Sequence, residues 1–284
     1  MNNDLELKQL VKEKYTGIAN QSKEQNASSC CGATGCCGED IYNIMTDDYS
    51  TLEGYNPDAD LGLGCGLPTE FAKIKEGDIV VDLGSGAGND AFVARKITGE
   101  KGKVIGIDFT EAMITKARQN AEKLGLNNVE FRQGDIEDMP ITSGKADVII
   151  SNCVLNLVPN KHKVFSEIYR VLKPGGHISI SDIVLQGEIP KKWKDIAELY
   201  AGCVSGAIPE NEYLGIIEEA GLKNIVLQKD KPIVLPDEIL ANYLSAEEIE
   251  EYKRSDTKIK SITVYAEKPA KDDRNCCEPG SGCC

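Results

Sequence analysis

The sequence predicts an α/β fold, a mostly parallel sheet with helices on both faces. Between residues 79 and 184, short apolar segments of strand length alternate with longer segments of helical pattern. Such alternation is typical of parallel strands joined by right-handed crossovers. The first apolar segment also runs directly into a glycine-rich turn, DLGSGAG at 82–88. With 284 residues, of which 41% are hydrophobic, the chain can form one such domain with appendages.

Each element of the core is predicted from its apolar pattern and its end signals. The predicted strands are 79–82, 103–107, 129–132, 146–151 and 177–184. The predicted helices are 89–98, 110–124 and 160–173. Thr110 is a favoured N-cap residue for the second of these helices, and the sequence KPGG ends the third.

The rest of the chain flanks this core. We predict four regions, which are an N-terminal helix and cysteine-rich linker at 1–60, a core at 61–186, a C-terminal region that completes the sheet at 187–270, and a cysteine-rich tail at 271–284. The predicted helices of the flanks are 4–25, 190–204, 210–220 and 237–253, and their strands are 223–229 and 258–267. The helices at 190–220 and 237–253 are predicted to form a lid or substrate-binding insert.

The glycine-rich turn predicts a site for a nucleoside-type cofactor. Gly84, Gly86 and Gly88 let backbone N–H groups approach a ligand beside the start of a helix. The next strand ends in Asp108, a position from which a carboxylate can accept hydrogen bonds from ribose hydroxyls. The alternative is a glycine turn that only packs a helix on a strand.

Composition limits the possible partners. The net charge of −14 argues against nucleic acids and anionic membrane surfaces, whose phosphates would be repelled. No apolar run approaches 18 residues, and the charged N-terminus lacks the apolar region of a signal peptide. We therefore expect a cytoplasmic protein, acting as a monomer on a neutral or cationic small molecule.

Eleven cysteines are a high count for a protein of a reducing compartment. They favour metal or metalloid binding, or redox chemistry, over structural disulfides. Only two histidines are present, His162 and His177, so a mixed zinc site is not expected. Paired cysteines occur near both ends of the chain, at 30–31, 36–37, 276–277 and 283–284.

Three isolated cysteines lie in distinctive local sequences. Cys65 stands between two glycines, which predict a bendable loop that leaves the thiol poorly enclosed. Cys153 comes just after a predicted strand, at the edge where open parallel sheets bind ligands. Cys203 lies near the end of a predicted helix. Each could alternatively be a small buried hydrophobic residue.

Five sequence motifs in this order resemble the class I S-adenosylmethionine-dependent methyltransferases. They are VDLGSGAG, GIDFT, GDIEDMP, ADVIISNCVLN and RVLKPGG. The resemblance implies a seven-stranded, Rossmann-like sheet and S-adenosylmethionine as cofactor. It implies that Asp82 and the three glycines hold the methionine end of that cofactor, and that Asp108 holds the ribose. The remaining residues of the predicted cofactor site are Asp135, Ile136, Asn152 and Met113.

The cysteine-containing sequences GLGCGLP, SNCVLNLV and AGCVSGAI closely resemble the arsenite S-adenosylmethionine methyltransferases. The resemblance implies that Cys65, Cys153 and Cys203 bind trivalent arsenic in the active site. It further implies that Cys30 and Cys31 are accessory thiols. The expected substrate is arsenite or its thiol conjugates, with a reductant of the glutathione or thioredoxin type as co-substrate.

The chemistry of the residues agrees with this interpretation. Thiolates suit soft trivalent arsenic, and three of them leave its lone pair available to attack a sulfonium methyl group without a general base. Two alternatives remain. A methyltransferase of another small molecule, such as a quinone or lipid precursor, would leave the cysteines unexplained. A metalloid-binding protein with an inactive cofactor fold would leave the intact cofactor motif unexplained.

Overall fold

A seven-stranded sheet forms the centre of the protein in the computed structural model, which describes residues 3–21, 47–187, 206–241 and 244–270. Its strands are β1 Ile79–Leu83, β2 Lys103–Asp108, β3 Val129–Gln133, β4 Ala146–Asn152, β5 Leu172–Gln186, β6 Lys223–Ile233 and β7 Lys258–Glu267. They lie in the order β3-β2-β1-β4-β5-β7-β6. The predicted Rossmann-like class of a seven-stranded, mostly parallel sheet is confirmed.

Strand β1 lies between β2 and β4, and all three run in the same direction. The chain adds β2 and β3 on one side of β1 and then returns to add β4 on the other. Open α/β sheets bind ligands at the carboxyl ends of the strands where the order reverses in this way. Strand β7 is antiparallel to both of its neighbours and is the exception to the parallel arrangement.

The helices of the described residues cover both faces of the sheet. They are α1 Asn3–Ala19, α2 Pro68–Phe71, α3 Asn89–Thr98, α4 Glu111–Lys123, α5 Lys161–Val171, α6 Glu210–Glu219, α7 Asp237–Leu240 and α8 Ala246–Arg254. A short 3-10 helix, Leu155–Leu157, follows β4. The predicted helix at 190–204 lies outside the described residues.

The prediction of one helix over 237–253 is wrong, because the structure has two helices there. Helix α7 ends at Leu240, and α8 begins after Ser245. The Ser245 side chain accepts a hydrogen bond from the Glu248 N–H, and the Glu248 carboxylate accepts one from the Ser245 N–H. This reciprocal capping box starts a new helix and separates it from α7.

The main hydrophobic core lies between β-strands and helices α5 and α6. Tyr213 of α6 is fully buried there, with its ring edge-on to Phe165 of α5. The predicted helix 210–220 is therefore a core element in the structure, whereas it was expected to belong to a lid or substrate-binding insert. A second core contains Phe92 of α3 and Met113 of α4.

Helix α1 packs onto this second core. Its Ala19 is buried in that core, and the Lys116 ammonium of α4 donates to the carbonyl oxygens of Ala19 and Gln21 at 3.1 Å each. These contacts satisfy carbonyl groups that a helix leaves unpaired at its C-terminus. No helix among the described residues is long and apolar enough to cross a membrane.

Asp182 of β5 is a fully buried carboxyl group. It accepts hydrogen bonds from the Asn156 amide at 2.9 Å, from the Ile183 N–H at 3.0 Å and from the Tyr213 hydroxyl at 3.2 Å. Burial raises its pKa to about 7, although these hydrogen bonds and the charge of Lys161 act in the opposite direction. The protonated form is thus favoured in the folded protein below that pH.

This raised pKa predicts how the stability of the fold depends on pH. A carboxyl group whose pKa is higher in the folded chain stabilises the fold fully below its unfolded pKa, and the contribution is lost as pH rises through the folded value. Between about pH 4 and about pH 8, the free energy of unfolding of the wild type should fall more than that of Asp182→Asn, by up to about 4 kcal/mol. Urea denaturation at several pH values measures the difference, with the exposed Asp58→Asn as control. Parallel pH profiles for wild type and Asp182→Asn would contradict the prediction.

Candidate active site

A cleft that is partly open to solvent lies at the carboxyl ends of β1, β2 and β4. Eight of the residues predicted from the sequence line it, namely Asp82, Gly84, Gly86, Asp108, Asp135, Ile136, Asn152 and Cys153. The structure therefore brings most of the predicted cofactor residues together at one site, where the sheet topology leads one to expect a ligand.

Glycine is needed at each position of the turn for a different structural reason. Gly84 has φ +65°, and a Cβ there would lie 2.4 Å from a methyl group of Val154. Gly86 has φ +50°, and no atom lies within 4 Å of the position where its Cβ would be. The backbone at Gly86 therefore borders open space in the cleft, as a backbone that contacts a ligand must.

Gly88 and Met113 do not line the cleft. A Cβ on Gly88 would lie 2.8 Å from the ring of Phe92 and 2.9 Å from that of Phe131, so this glycine allows α3 to pack against the sheet. Met113 is fully buried in the same hydrophobic cluster. Both residues therefore serve the packing of helices in the structure. For Gly88 this is the alternative given above, a glycine that packs a helix on a strand.

Asp108 is held by the backbone on both sides of the cleft. One carboxylate oxygen accepts a hydrogen bond from the Gly86 N–H at 3.0 Å, and the other accepts one from the Thr110 N–H at 2.8 Å. Burial raises the pKa of Asp108, and these hydrogen bonds act against that rise. The carboxylate thus ties the glycine turn after β1 to the end of β2.

The cleft is strongly acidic, since Asp60, Asp82, Asp90, Asp108 and Asp135 all line it. Burial raises the pKa of Asp90 to about 6, against the hydrogen bonds from Asn152 and Tyr49. The pKa of Asp82 is raised well above its ordinary range by burial and by the charges of Asp90 and Asp108. A bound cation would relieve this repulsion, so the site favours a positively charged ligand.

Buried polar atoms in the cleft also indicate a ligand. Among the described residues, Asp82 Oδ2, Ser85 Oγ and Asn89 Oδ1 have no hydrogen-bond partner, although all three atoms are buried. All three residues line the cleft. Such groups are uncommon in native proteins and mark places where a ligand or water supplies the partner. A cation that carries hydrogen-bonding groups, such as S-adenosylmethionine, fits both the charge and these unpaired atoms.

Sequence reasoning missed the wall that α1 contributes. Lys8, Val11 and Tyr15 line the cleft, and the Lys8 ammonium bridges Asp135, at 2.6 Å, and Glu137. Burial lowers the pKa of Lys8, but the hydrogen bonds with these two carboxylates outweigh it and leave the pKa raised. No local motif identifies these residues, because they precede strand β1 by more than sixty positions.

Tyr49 and Asp90 were also missed. Tyr49 is 3% exposed, and its hydroxyl lies 2.9 Å from each carboxylate oxygen of Asp90. Asn152 Nδ2 lies 3.1 Å from Asp90 Oδ2. Asp90 follows the glycine turn in the first turn of α3, and that position is the one sequence signal that could have identified it.

The expectation that Cys65 is poorly enclosed is wrong, because this residue is 0% exposed. Its N–H donates to Asn152 Oδ1 at 3.0 Å, and its carbonyl accepts from the Ser261 hydroxyl at 2.5 Å. The flanking glycines allow this packing, since a Cβ on Gly64 would lie 2.7 Å from the Asn152 amide and one on Gly66 would lie 2.5 Å from the Ser181 hydroxyl. They serve close approach rather than exposure of the thiol.

Cys153 is a backbone exception at the end of β4. Its φ of +59° lies in the left-handed region, which residues other than glycine rarely adopt. Its N–H donates to the Ser181 carbonyl at 2.8 Å. Such strain concentrates at functional sites. Cys65 and Cys153 are both buried and belong to one apolar cluster with Leu157 and Ala207.

The other predicted thiols lie outside the described residues, namely Cys203, Cys30, Cys31 and the cysteines at 36–37, 276–277 and 283–284. Within the part of the chain that the structure describes, no group of three or more histidine, cysteine, aspartate or glutamate side chains could hold a metal ion. The structure thus brings two of the three predicted arsenic ligands into one cluster and leaves the third as a prediction.

Comparisons with known proteins show which family this chain resembles. A family model described as a methyltransferase domain matches residues 74–221, more than half of the chain. The arsenite methyltransferase of Halobacterium salinarum is 38% identical over 281 residues, covering 94% of this chain and 68% of that protein. The arsenite methyltransferase of Aquipseudomonas alcaligenes is 33% identical over 242 residues, covering 82% and 67%.

A solved structure gives the same result. The crystal structure of an arsenic(III) S-adenosylmethionine methyltransferase from Chlamydomonas reinhardtii matches with a TM-score of 0.62 at 35% identity, covering 72% of this chain and 68% of that one. Fold, cleft and comparisons together define an S-adenosylmethionine-dependent methyltransferase. More particularly, the chain belongs to the arsenite methyltransferase family.

Asp108→Ala should weaken the binding of S-adenosylmethionine. The change removes the acceptor that orders Gly86 and any hydrogen bond to the ribose, and hydrogen bonds to a charged group contribute about 1.5–3 kcal/mol each. The dissociation constant measured by titration calorimetry should rise at least about tenfold. Asp58→Ala, which removes an exposed carboxylate, should leave it unchanged. Equal affinity of wild type and Asp108→Ala would exclude the assignment.

Lys8→Ala tests the wall formed by α1. The bridge to Asp135 and Glu137 holds α1 against the cleft, and a partly exposed ion pair contributes up to about 1 kcal/mol. The affinity for S-adenosylmethionine should therefore fall about threefold to fivefold. Lys12→Ala, on the same helix but exposed, is the matched control. An equal effect of both substitutions would show that the bridge is not responsible.

Proposed function

We propose that this protein transfers the methyl group of S-adenosylmethionine to trivalent arsenic held by Cys65, Cys153 and Cys203. One observation carries the proposal. In a chain of the arsenite methyltransferase family, two buried cysteines lie together in one cluster beside an acidic cleft that fits a cationic cofactor. A methyltransferase that acts on carbon or oxygen has no need of this pair.

The described residues that follow Cys203 support the inclusion of this cysteine among the proposed arsenic ligands. This residue precedes Gly206 by three positions, a length of chain that spans at most about 11 Å. The Gly206 carbonyl accepts a hydrogen bond from the Lys161 ammonium at 2.9 Å. Ala207 belongs to the apolar cluster that contains Cys65 and Cys153. The chain is therefore held close to the two buried cysteines just after the third one.

The cofactor would lie in the cleft with its charged end near Asp82 and Asp90. Asp82 and the glycine turn would hold the methionine end, Asp108 the ribose, and Asp135 with Ile136 the adenine. S-Adenosylmethionine supplies an electrophilic methyl group on a sulfonium sulfur when it is bound. The buried carboxylates would stabilise that positive charge.

The cysteines would bind arsenic by exchanging thiols for hydroxides. Trihydroxyarsenic(III) and three thiols give a tris-thiolate and three water molecules, so each thiol proton leaves with a hydroxide. The arsenic lone pair then forms the new bond to carbon, and the electrons of the broken carbon–sulfur bond remain on the cofactor sulfur. No proton is removed from the nucleophile, so the residues mainly position the reactants.

Histidine is not needed for this reaction, and the lining of the cleft in the described residues contains none. His177 contacts the carbonyl of Ala72, and His162 lies near Glu219 on the surface. The neutral trihydroxy form of arsenic(III) is not repelled by a protein with a net charge of −14. Arsenite or its thiol conjugates are therefore suitable substrates.

Each transfer oxidises the arsenic formally by two electrons. Further rounds need a reductant, and two thiols supply these electrons when they form a disulfide. We include a glutathione-type or thioredoxin-type reductant in the proposal, with Cys30 and Cys31 as accessory thiols. The biological role that follows is arsenic detoxification.

The test combines one assay with four variants. The protein is incubated with arsenite, a thiol and methyl-labelled S-adenosylmethionine, and the arsenic species are separated. Cys65→Ser, Cys153→Ser and Cys203→Ser should each lower methylation at least about 100-fold, because a soft ligand and the position of the arsenic are lost. Cys284→Ser, in the tail, is the matched control and should retain activity. An active wild type with three equally active serine variants would reject the proposed ligands.

Arsenic X-ray absorption identifies the ligands directly. The loaded wild type should show three sulfur neighbours, and each of the three serine variants should show two. Titration calorimetry should show unchanged affinity for S-adenosylmethionine in the same variants. A variant with an unchanged sulfur shell excludes that cysteine from the site.

A further inference from the structure

The side chain of Asn152 pairs with the backbone of the Cys65 loop, which we define as residues 64–66. Asn152 Oδ1 accepts from the Cys65 N–H at 3.0 Å, and Asn152 Nδ2 donates to the Gly66 carbonyl at 2.8 Å. Both polar ends of one amide are thus used on the backbone of two consecutive residues, Cys65 and Gly66. Gly64 permits this contact, because a Cβ there would lie 2.7 Å from Asn152 Nδ2.

The same atoms also contact a carboxylate of the cleft. Asn152 Nδ2 lies 3.1 Å from Asp90 Oδ2, and the Tyr49 hydroxyl lies 2.9 Å from both oxygens of Asp90. The Tyr49 hydroxyl also lies 3.0 Å from the Gly66 carbonyl. Asn152 Nδ2 also donates to the Tyr49 hydroxyl oxygen at 2.5 Å. Asp90 and the Gly66 carbonyl are therefore alternative acceptors for the Tyr49 proton, and the two Asn152 protons are shared among these acceptors and the Tyr49 oxygen.

These acceptors compete because the Tyr49 hydroxyl and the Asn152 amide have few protons to donate. The Tyr49 hydroxyl has one proton to donate, and the Asn152 amide has two. When no ligand is present, the Asp90 carboxylate takes part of this supply, since hydrogen bonds to a charged acceptor are the stronger ones. A cationic ligand that donates to Asp90 satisfies that carboxylate and leaves the Tyr49 proton for the Gly66 carbonyl.

We propose that Asp90, Asn152 and Tyr49 form a positioning network that tightens the Cys65 loop when the cofactor occupies the cleft. The inference rests on the proposed role of Cys65 as an arsenic ligand, and it adds a coupling between the cofactor cleft and that ligand. Cofactor binding and the placement of this thiol become coupled, and by linkage each favours the other. Tyr49 and Asn152 act through the loop and need not touch the arsenic.

The test measures how fast a thiol reagent reacts with Cys65 when no arsenic is present. The full-length protein is treated with N-ethylmaleimide, with and without saturating S-adenosylmethionine, and alkylation of the peptide that contains Cys65 is followed by mass spectrometry. In the wild type, the cofactor should slow this alkylation about fivefold or more, the lower end of typical coupling between two sites. Titration calorimetry establishes for every variant that the cofactor is bound.

Tyr49→Phe removes the single hydroxyl proton and keeps the ring. In this variant and in Asn152→Ser, the protection of Cys65 by bound cofactor should fall below about twofold. Tyr55→Phe is the matched control, because its hydroxyl donates to Asp60, another carboxylate of the cleft, at 3.0 Å. This control should keep the protection of the wild type.

Two results would overturn the inference. They are no protection in the wild type and undiminished protection in Tyr49→Phe. Undiminished protection with faster alkylation both with and without cofactor would show a structural role alone. If Asn152→Ser does not fold, Tyr49→Phe decides. Because no arsenic is present, the outcome is independent of whether arsenic is the methyl acceptor.

Discussion

The pairing of β1 with both β2 and β4 is the constraint on which the site depends. It aligns three carboxyl ends at one edge of the sheet, and these ends carry Asp82, Asp108 and Asn152. The residues are separated by up to 70 positions in the sequence, yet all line one cleft. The glycine turn after β1 then closes against Asp108, whose carboxylate accepts the Gly86 N–H.

The cleft combines features that a folded protein normally avoids. It gathers several carboxylates with raised pKa values, buried polar atoms that lack partners in the described residues, and a cysteine in the left-handed backbone region. Each of these is unfavourable for folding alone. Their coincidence at one place is best explained by a ligand that supplies positive charge and hydrogen-bonding groups, as the cofactor of this enzyme class does.

Asn152 connects the acidic cleft with the Cys65 loop. It stands at the end of β4, where one side faces the acidic cleft and the next residue is Cys153. Its amide holds the backbone of Cys65, which comes from a loop 87 positions earlier. The acidic cleft and the proposed arsenic ligand Cys65 are therefore linked through a single side chain.

The sequence by itself determined the strands of the core, the cofactor class and the identity of the candidate thiols, because these depend on local periodicity and on short motifs around Asp82 and Cys153. Only the tertiary structure decided which residues meet. In the structure Cys65 is buried and Gly88 and Met113 occupy packing positions. Lys8, Tyr49 and Asp90 line the cleft. The physical reason is that enclosure and hydrogen-bond partners are set by contacts between distant segments, which no local pattern encodes.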